Sequence, residues 1–403
     1  MLRLALRNIF RHKTRTAMTL AAIAFGVIAL VLSGGFIQDI YVQLGEAIIH
    51  SQSGHVQVAK SGYFSFGSRS PEKYLLTDPE AEKARVAALP EVADAMARLS
   101  FAGLINNGRT DLPIIGEGVE PAAETRLGTY LHIRAGRALE ASDQYGILVG
   151  DGLAKSLQLR PGERVNIVLS TPDGAMNALD FEVVGVFQSF SKEYDARAVR
   201  IPLAAAQELL NTKGANVVVV SLHRTRDTAA VTANLAAAGK PAGLEVRAWT
   251  VLNDFYENTV ALYERQFGAL QLIILAMVLL SVINSVNMSV TERTGEFGTL
   301  RALGNRGRQV IGIVVLENLL LGVIGALAGA FAGVMLAAAI SAIGIPMPPP
   351  PNSNLGYVAR IRVVPSIVGA SIVVGVVATV LAALLPAWRA SRIPVVDALR
   401  QNV

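Results

Sequence analysis

Four stretches of this 403-residue chain are apolar for about twenty residues or more: Ala17 to about Ile37, Leu270 to Val290, Val310 to Ile343, and Val364 to Trp388. A bilayer's hydrocarbon core of about 30 Å needs about 20 such residues per helix, so each run is long enough to cross it. Composition agrees. Apolar residues make up 52% of the chain and charged residues 17%, with mean hydropathy +0.44, too apolar for an ordinary soluble enzyme. The net charge of +5 sits beside the apolar runs, which points to membrane topology and not to nucleic acid. With no cysteine, disulfides, thiolate metal sites, a catalytic cysteine and a lipidated N-terminal cysteine are excluded on this chain.

Charge orients the spans. Residues 1–16 carry Arg3, Arg7, Arg11, Lys13 and Arg15 and no acid, with Leu2, Leu4, Leu6, Ile9 and Phe10 between them. That pattern predicts a cytoplasmic amphipathic helix leading into a retained span, because the run is long for a signal peptide and no small-x-small cleavage site follows. The loop at 291–309 and the tail at 389–403 are also basic, whereas the loop at 344–363 holds only Arg360 and Arg362. Both termini are therefore expected in the cytoplasm. Past the first span, Ile37, Ile40, Tyr41, Leu44, Ile48 and Ile49 keep helical spacing. A helix over 17–50 would be roughly 50 Å long and would leave the membrane as a stalk. Phe255, Leu262, Phe267 and Leu270 predict a matching stalk within 251–290.

Residues 51–250 have soluble character. Gly54 to Val58 alternates like a strand, and Asp78 to Ala88 reads as a helix closed by Pro90. Arg98 to Ile105 and Leu112 to Val119 flank the hairpin turn Asn106-Asn107-Gly108. A helix from Asp151 to Leu159 stops at Pro161-Gly162, strands Arg164 to Leu169 and Asp180 to Phe187 follow, and Asn216 to Leu222 returns as a strand. These make two α/β lobes, the second (about 133–210) inserted in the first. The fold class is a polytopic α-helical membrane protein with four transmembrane helices and a large α/β extracytoplasmic domain inserted between helices 1 and 2. The remaining parts are spans at 310–343 and 364–388, linked through the proline run Pro348 to Pro351.

The polar island Ser289 to Gln309, SVTERTGEFGTLRALGNRGRQ, holds four arginines and two glutamates between two spans. Phe297, Leu300 and Leu303 recur at helical spacing and Gly304 is a natural stop, so a short helix with one apolar and one charged side is predicted. Glu292-Arg293-Thr294, Glu296-Phe297-Gly298 and Leu300-Arg301-Ala302-Leu303-Gly304 closely resemble the coupling helix of MacB/FtsX/LolE-type ABC transporter permeases. Gly295 and Asn305 depart from that pattern, where a basic residue and an alanine are common. The tail Pro386-Ala387-Trp388-Arg389, followed by Pro394 to Arg400, resembles the family's C-terminal signature, and the likeness covers the whole chain.

The resemblance implies that Glu292, Arg293, Glu296, Phe297, Leu300, Arg301 and Gly304 couple to a separate cytoplasmic ABC ATPase subunit. That subunit would bind ATP and Mg; this chain would bind no cofactor, since it has no G-x-x-x-x-G-K-[ST] loop. A second permease subunit and a periplasmic carrier or adaptor are further implied partners, together with membrane lipid. The lipoprotein-releasing branch is the first expectation, by mechanotransmission from the outer leaflet of the bacterial inner membrane. A MacB-like efflux motor and an FtsX-like regulator of cell-wall hydrolysis are the alternatives.

No enzyme site is expected: there is no H-E-x-x-H pair and no G-x-S-x-G elbow. His50 and His55 are read as surface histidines in preference to a metal site. Gly325, Gly329 and Gly333 let another helix approach closely, either within the subunit or across a dimer. Asn284 and Asn287 are read as interhelical hydrogen-bonding groups, and Glu317 as a local ion-pair partner of the basic loop. For an amphiphilic cargo, Val31, Phe36 and Ile40 on the first helix and Phe267, Leu270 and Ile274 on the second are the expected contacts. The turn at Pro172, Asp173 and Gly174 matches in position the hook of LolC-type proteins, but its short length reads as an ordinary hairpin.

Overall fold

A computed structural model of the protein describes residues 13–67, 71–128, 130–349, 356–392 and 394, the side chains of Arg15, Glu72, Asp254 and Phe255 excepted. Most of the expected N-terminal amphipathic helix, the Phe255 side chain, Pro350 and Pro351, and the short helix after Pro394 lie outside the described residues.

The chain divides into two compact units. One comprises residues 1–42, 259–346 and 358–403, the other 43–258 and 347–357. The first helix, α1 (Lys13–Ile48), runs 36 residues without a break and ends in a π-helical turn at Ile49–Ser53.

The unit of residues 43–258 is built on one ten-stranded sheet: β1 (Val56–Lys60), β2 (Val92–Asn106), β3 (Asp111–Val119), β4 (His132–Gly136), β5 (Gly146–Gly150), β6 (Arg164–Ser170), β7 (Met176–Gln188), β8 (Ala198–Pro202), β9 (Val217–Leu222) and β10 (Leu244–Ala248). Its order is β10-β1-β9-β2-β3-β8-β5-β7-β4, with β6 bridging β2 and β7. The two blocks read from the sequence are present but share this sheet. The fifteen-residue β2 pairs with β9 through one half and with β3 and β6 through the other. β9 returns between β1 and β2, as its position predicted.

Helices cover the sheet: α2 (Pro79–Ala87), α3 (Pro121–Leu127), α4 (Asp151–Leu157), α5 (Leu203–Leu209) and α6 (Thr228–Gly239). Asp78 caps α2 by accepting from the Ala81 amide at 3.0 Å, and Pro79 occupies its first turn. Gln158, with φ 54°, ends α4 three residues before Pro161. One core lies between β2, β3, β5–β8, α4 and α5, with Phe101, Ile105, Ile147, Ile167 and Phe181 buried in it. A second lies under β1, β9 and β10 against α2 and α6.

The other unit is helical. α7 (Asp254–Glu292) is followed by a short α8 (Thr294–Ala302), then α9 (Gly307–Ile343) and α10 (Pro365–Arg392). Between α9 and α10, strands Ile345–Met347 and Tyr357–Ala359 pair. Among the described residues, four helices are long and apolar enough to cross a membrane, and they fall on the four apolar runs of the sequence.

Candidate functional site

The polar island folds as the short helix its spacing predicts. Arg293 precedes α8, and Phe297 is buried one turn on. Gly304 ends it at φ +93°, a left-handed conformation that glycine adopts without strain. Its last carbonyls are satisfied: the Gly304 amide donates to Arg301 O at 3.1 Å, and Asn305 donates to Leu300 O through both its backbone and its side chain, at 3.1 and 3.0 Å. Asn305 is one of the two departures from the family pattern, and here its amide serves as a cap.

Two faces of α8 do different things. Arg293 is 6% exposed; its Nη1 donates to the Glu317 carboxylate on α9 at 2.8 Å, its Nε to Glu296 at 3.0 Å, and its guanidinium lies 5.2 Å from the Phe297 ring centre. The ion pair read from the sequence for Glu317 is thus present. Arg301 donates to the Ser391 carbonyl near the end of α10 at 3.1 Å. Arg293, Phe297 and Arg301 therefore fasten α8 to the membrane helices. Outside, Glu292 at the end of α7 and Leu303 and Gly304 just past α8 are exposed, Leu303 at 77%, while Glu296 and Leu300 on α8 are half-buried.

The three glycines of α9 settle which of two readings applies within the chain. A methyl group on Gly325 would lie 3.0 Å from Ile23, one on Gly329 would lie 2.6 Å from the Ala24 carbonyl, and one on Gly333 would lie 3.3 Å from Val31. All three face α1, so the stripe is a seam inside the subunit. Asn284 is exposed and Asn287 half-buried on α7, and neither side chain makes a hydrogen bond among the described residues. Polar links between α1 and α7 are instead Thr19 to Ser285 and the Tyr41 hydroxyl, which donates to the Val260 carbonyl at 3.3 Å.

Of the expected cargo contacts, Val31 and Ile40 are buried inside the unit, Val31 because Gly333 gives it room. They offer no surface to a ligand here, which corrects that part of the expectation. Phe36 and Phe267 meet edge to face at 6.4 Å, and Leu270 is 44% exposed, with Ile274 half-buried beside it. Phe267 also lines a groove of about 350 Å³ with Leu30, Gly34, Ile37 and Ile367. The turn at Pro172 to Gly174 is tight: Thr171 N donates to Ala175 O at 2.7 Å, Gly174 has φ +82°, and the register runs straight up to Ser170 and Met176.

Sequence reading missed two ionic features. Arg98 on β2 and Arg200 on β8 are almost fully buried and share Glu124 of α3, at 2.8 and 2.7 Å. Both also reach the π-helical turn that ends α1: Arg200 Nη2 donates to Ser51 O at 2.8 Å, and Arg98 Nη1 donates to Gln52 O. The available signal was an arginine inside each of two apolar strands. The second is Asp39 on α1, 2% exposed, which accepts from the Arg362 side chain at 3.0 Å and the Arg360 amide at 2.8 Å.

His50 and His55 are not surface histidines as expected. His50 contacts Glu46 at 3.2 Å and the Leu127 carbonyl at 3.2 Å, while His55 is 2% exposed. His55 Nδ1 accepts from the Leu222 amide at 3.1 Å and Nε2 contacts Thr225 at 3.2 Å. Burial, aided by neighbouring His50, pushes its pKa down to about 4. Among the described residues no group of three or more His, Asp or Glu side chains gathers for a metal ion.

Comparison with known proteins accounts for most of the chain. Residues 16–238 match the MacB-like periplasmic core domain and residues 268–395 the FtsX-like permease C-terminal domain. The lipoprotein-releasing system transmembrane protein LolC of Xylella fastidiosa is 26% identical over 398 residues, 95% of this chain and 92% of that protein. LolC of Neisseria meningitidis is 27% identical over 333 residues, 80% and 76% of the two chains. An uncharacterized ABC transporter permease of Methanocaldococcus jannaschii is 22% identical, covering 84% of each. Among solved structures, the periplasmic region of MacB from Actinobacillus actinomycetemcomitans aligns with 52% of this chain and 96% of its own, at 13% identity and TM-score 0.38. With a periplasmic core match over more than half of its length and a permease match over its last three membrane helices, the chain belongs to the MacB/FtsX family of ABC transporter permeases.

Proposed function

We propose that this permease lifts a lipoprotein or another amphiphile from the outer leaflet of the bacterial inner membrane, as one of two permease subunits working with two separate ATPase subunits. The near full-length likeness to proteins named as LolC of a lipoprotein-releasing system carries the reading. ATP and Mg belong to the ATPase, and both termini lie on its side of the membrane, as the charge distribution indicates. Glu292, Leu303 and Gly304 flank α8 and form the surface offered to that ATPase, with Glu296 and Arg301 at its edge. The buried Arg293 and Phe297 hold the helix in place so that a push on it moves α9 and α10. A periplasmic carrier or adaptor receives the cargo.

Two measurements test this. Glu292→Lys combined with Leu303→Asp should abolish co-purification of the ATPase while membrane insertion stays intact. A photo-crosslinker at Phe36 or Leu270 should capture an acylated protein and lose it when ATP is added. Crosslinks to the permease alone, with export of a soluble compound intact, would replace lipid extraction with a MacB-like efflux motor.

A further inference from the structure

An open cleft of about 1090 Å³ lies in the unit of residues 43–258, between the β2–β3 hairpin tip, the C-terminal part of α4, the turn at 158–164 and strand β4. Its lining includes five basic side chains, Arg109, Arg134, Lys155, Arg160 and Arg164, against two acidic ones, Asp151 and Glu163. The acids are already engaged: Asp151 holds Lys155 at 2.6 Å, and Glu163 accepts from the Arg160 backbone amide at 2.8 Å. The guanidinium groups of the four arginines have no hydrogen bond or ion pair among the described residues. A net +3 is thus concentrated in one concavity of a chain whose total is +5. Such a cleft focuses its field on an incoming anion.

Two further features say what kind of anion fits. Small-molecule sites are mostly apolar and enclosed, whereas this cleft is polar, wide and drawn from four elements. Strand β4 also ends the sheet, pairing with β7 on one side only. Its residues Arg134 and Ala135 line the cleft, and the register shifts between Ile133 and Ala135, at Arg134. An edge strand presents unpaired amides and carbonyls that an extended peptide can use. The hairpin tip opposite is rigid: Asn107 accepts from the Arg109 and Thr110 amides at 3.0 and 2.9 Å and donates to Leu157 O at 2.9 Å.

We propose that this cleft docks an acidic, extended segment of a partner protein, which lies along β4 with its carboxylates on Arg109, Arg134, Arg160 and Arg164. The proposal stands independently of what cargo the permease moves.

The test uses the full chain in uncharged phosphatidylcholine nanodiscs and a fluorescent peptide of about eight alternating Glu and Thr residues, which spans about 27 Å when extended. Fluorescence anisotropy should show binding that is about tenfold or more weaker for the Gln–Thr version and for Arg109→Glu/Arg164→Glu. Arg226→Glu, a charge reversal at an exposed arginine that does not line the cleft, should leave binding unchanged. The milder Arg134→Gln should weaken it with unaltered thermal unfolding. Hydrogen exchange at His132 to Gly136 should slow when the Glu–Thr peptide binds. The proposal is overturned by equal binding of the Gln–Thr peptide, by equal loss with Arg226→Glu, or by unchanged exchange in β4. Retention on phosphatidylglycerol vesicles that depends on Arg109 and Arg164, without peptide binding, would assign the cleft to a lipid surface instead.

Discussion

Glu124 shows how much one side chain can carry. Burial opposes its charge, but Arg98 and Arg200 outweigh it and hold its pKa below the usual carboxylate range. Glu124→Leu would remove the nearer of two acids shared by these buried guanidinium groups, leaving Glu117 at 3.3 Å from Arg200 and 4.0 Å from Arg98, at a cost of up to about 3–5 kcal/mol read by thermal unfolding. His55 makes the opposite arrangement, a base kept neutral. Its folded pKa of about 4 lies below its unfolded value, so the unfolded chain binds the extra proton first. Stability from this group is complete above about pH 6.5 and falls as pH drops towards 4, by up to about 3 kcal/mol. His55→Gln should flatten that part of the pH profile, followed by hydrogen exchange at β9, whose Leu222 amide His55 accepts from. None of this was legible in the sequence. The strand around Arg98 was, but the one around Arg200 was not read, and Glu124 lies 26 and 76 positions from its two partners, which only the fold brings together.

At the scale of elements, the glycine stripe of α9 is the sharpest case. Its four-residue spacing announces a close approach and leaves open to which helix. α1 is the partner within the chain, and Gly329→Val would drive a side chain into the Ala24 carbonyl. We expect a loss of about 1–3 kcal/mol or more in the unfolding of the purified permease, even when monomeric in detergent. Gly312→Ala, where a methyl group meets nothing within 4 Å, should be tolerated. If only the dimer were weakened by Gly329→Val, the seam inside the subunit would not be its main role. The coupling helix tells the same story. Periodicity marked Phe297 as apolar and Gly304 as a stop, and depth marked Glu317 as a partner of the loop, but nothing singled out Arg293 as the arginine that turns inward or Leu303 as the leucine that faces out.

For the whole molecule, α1 and α7 each contribute residues to both compact units. In the proposed transporter, two glycines inserted after Leu44 should loosen α1 by roughly 1 kcal/mol each and leave ATP hydrolysis running while cargo movement stops. Normal transport in that variant would make α1 a passive tether. The sequence by itself determined the four membrane helices, because a bilayer demands about twenty apolar residues per crossing whatever the surrounding fold. It also determined the strand and helix positions around turns such as Asn106-Asn107-Gly108, because turn chemistry and periodicity act over a few residues. Tertiary structure decided that the two lobes share one sheet through the long β2, that the α9 glycines face α1, and that Arg98 and Arg200 hold the end of the first helix. Those outcomes depend on shape and charge matching between segments far apart in the chain, which no local pattern encodes.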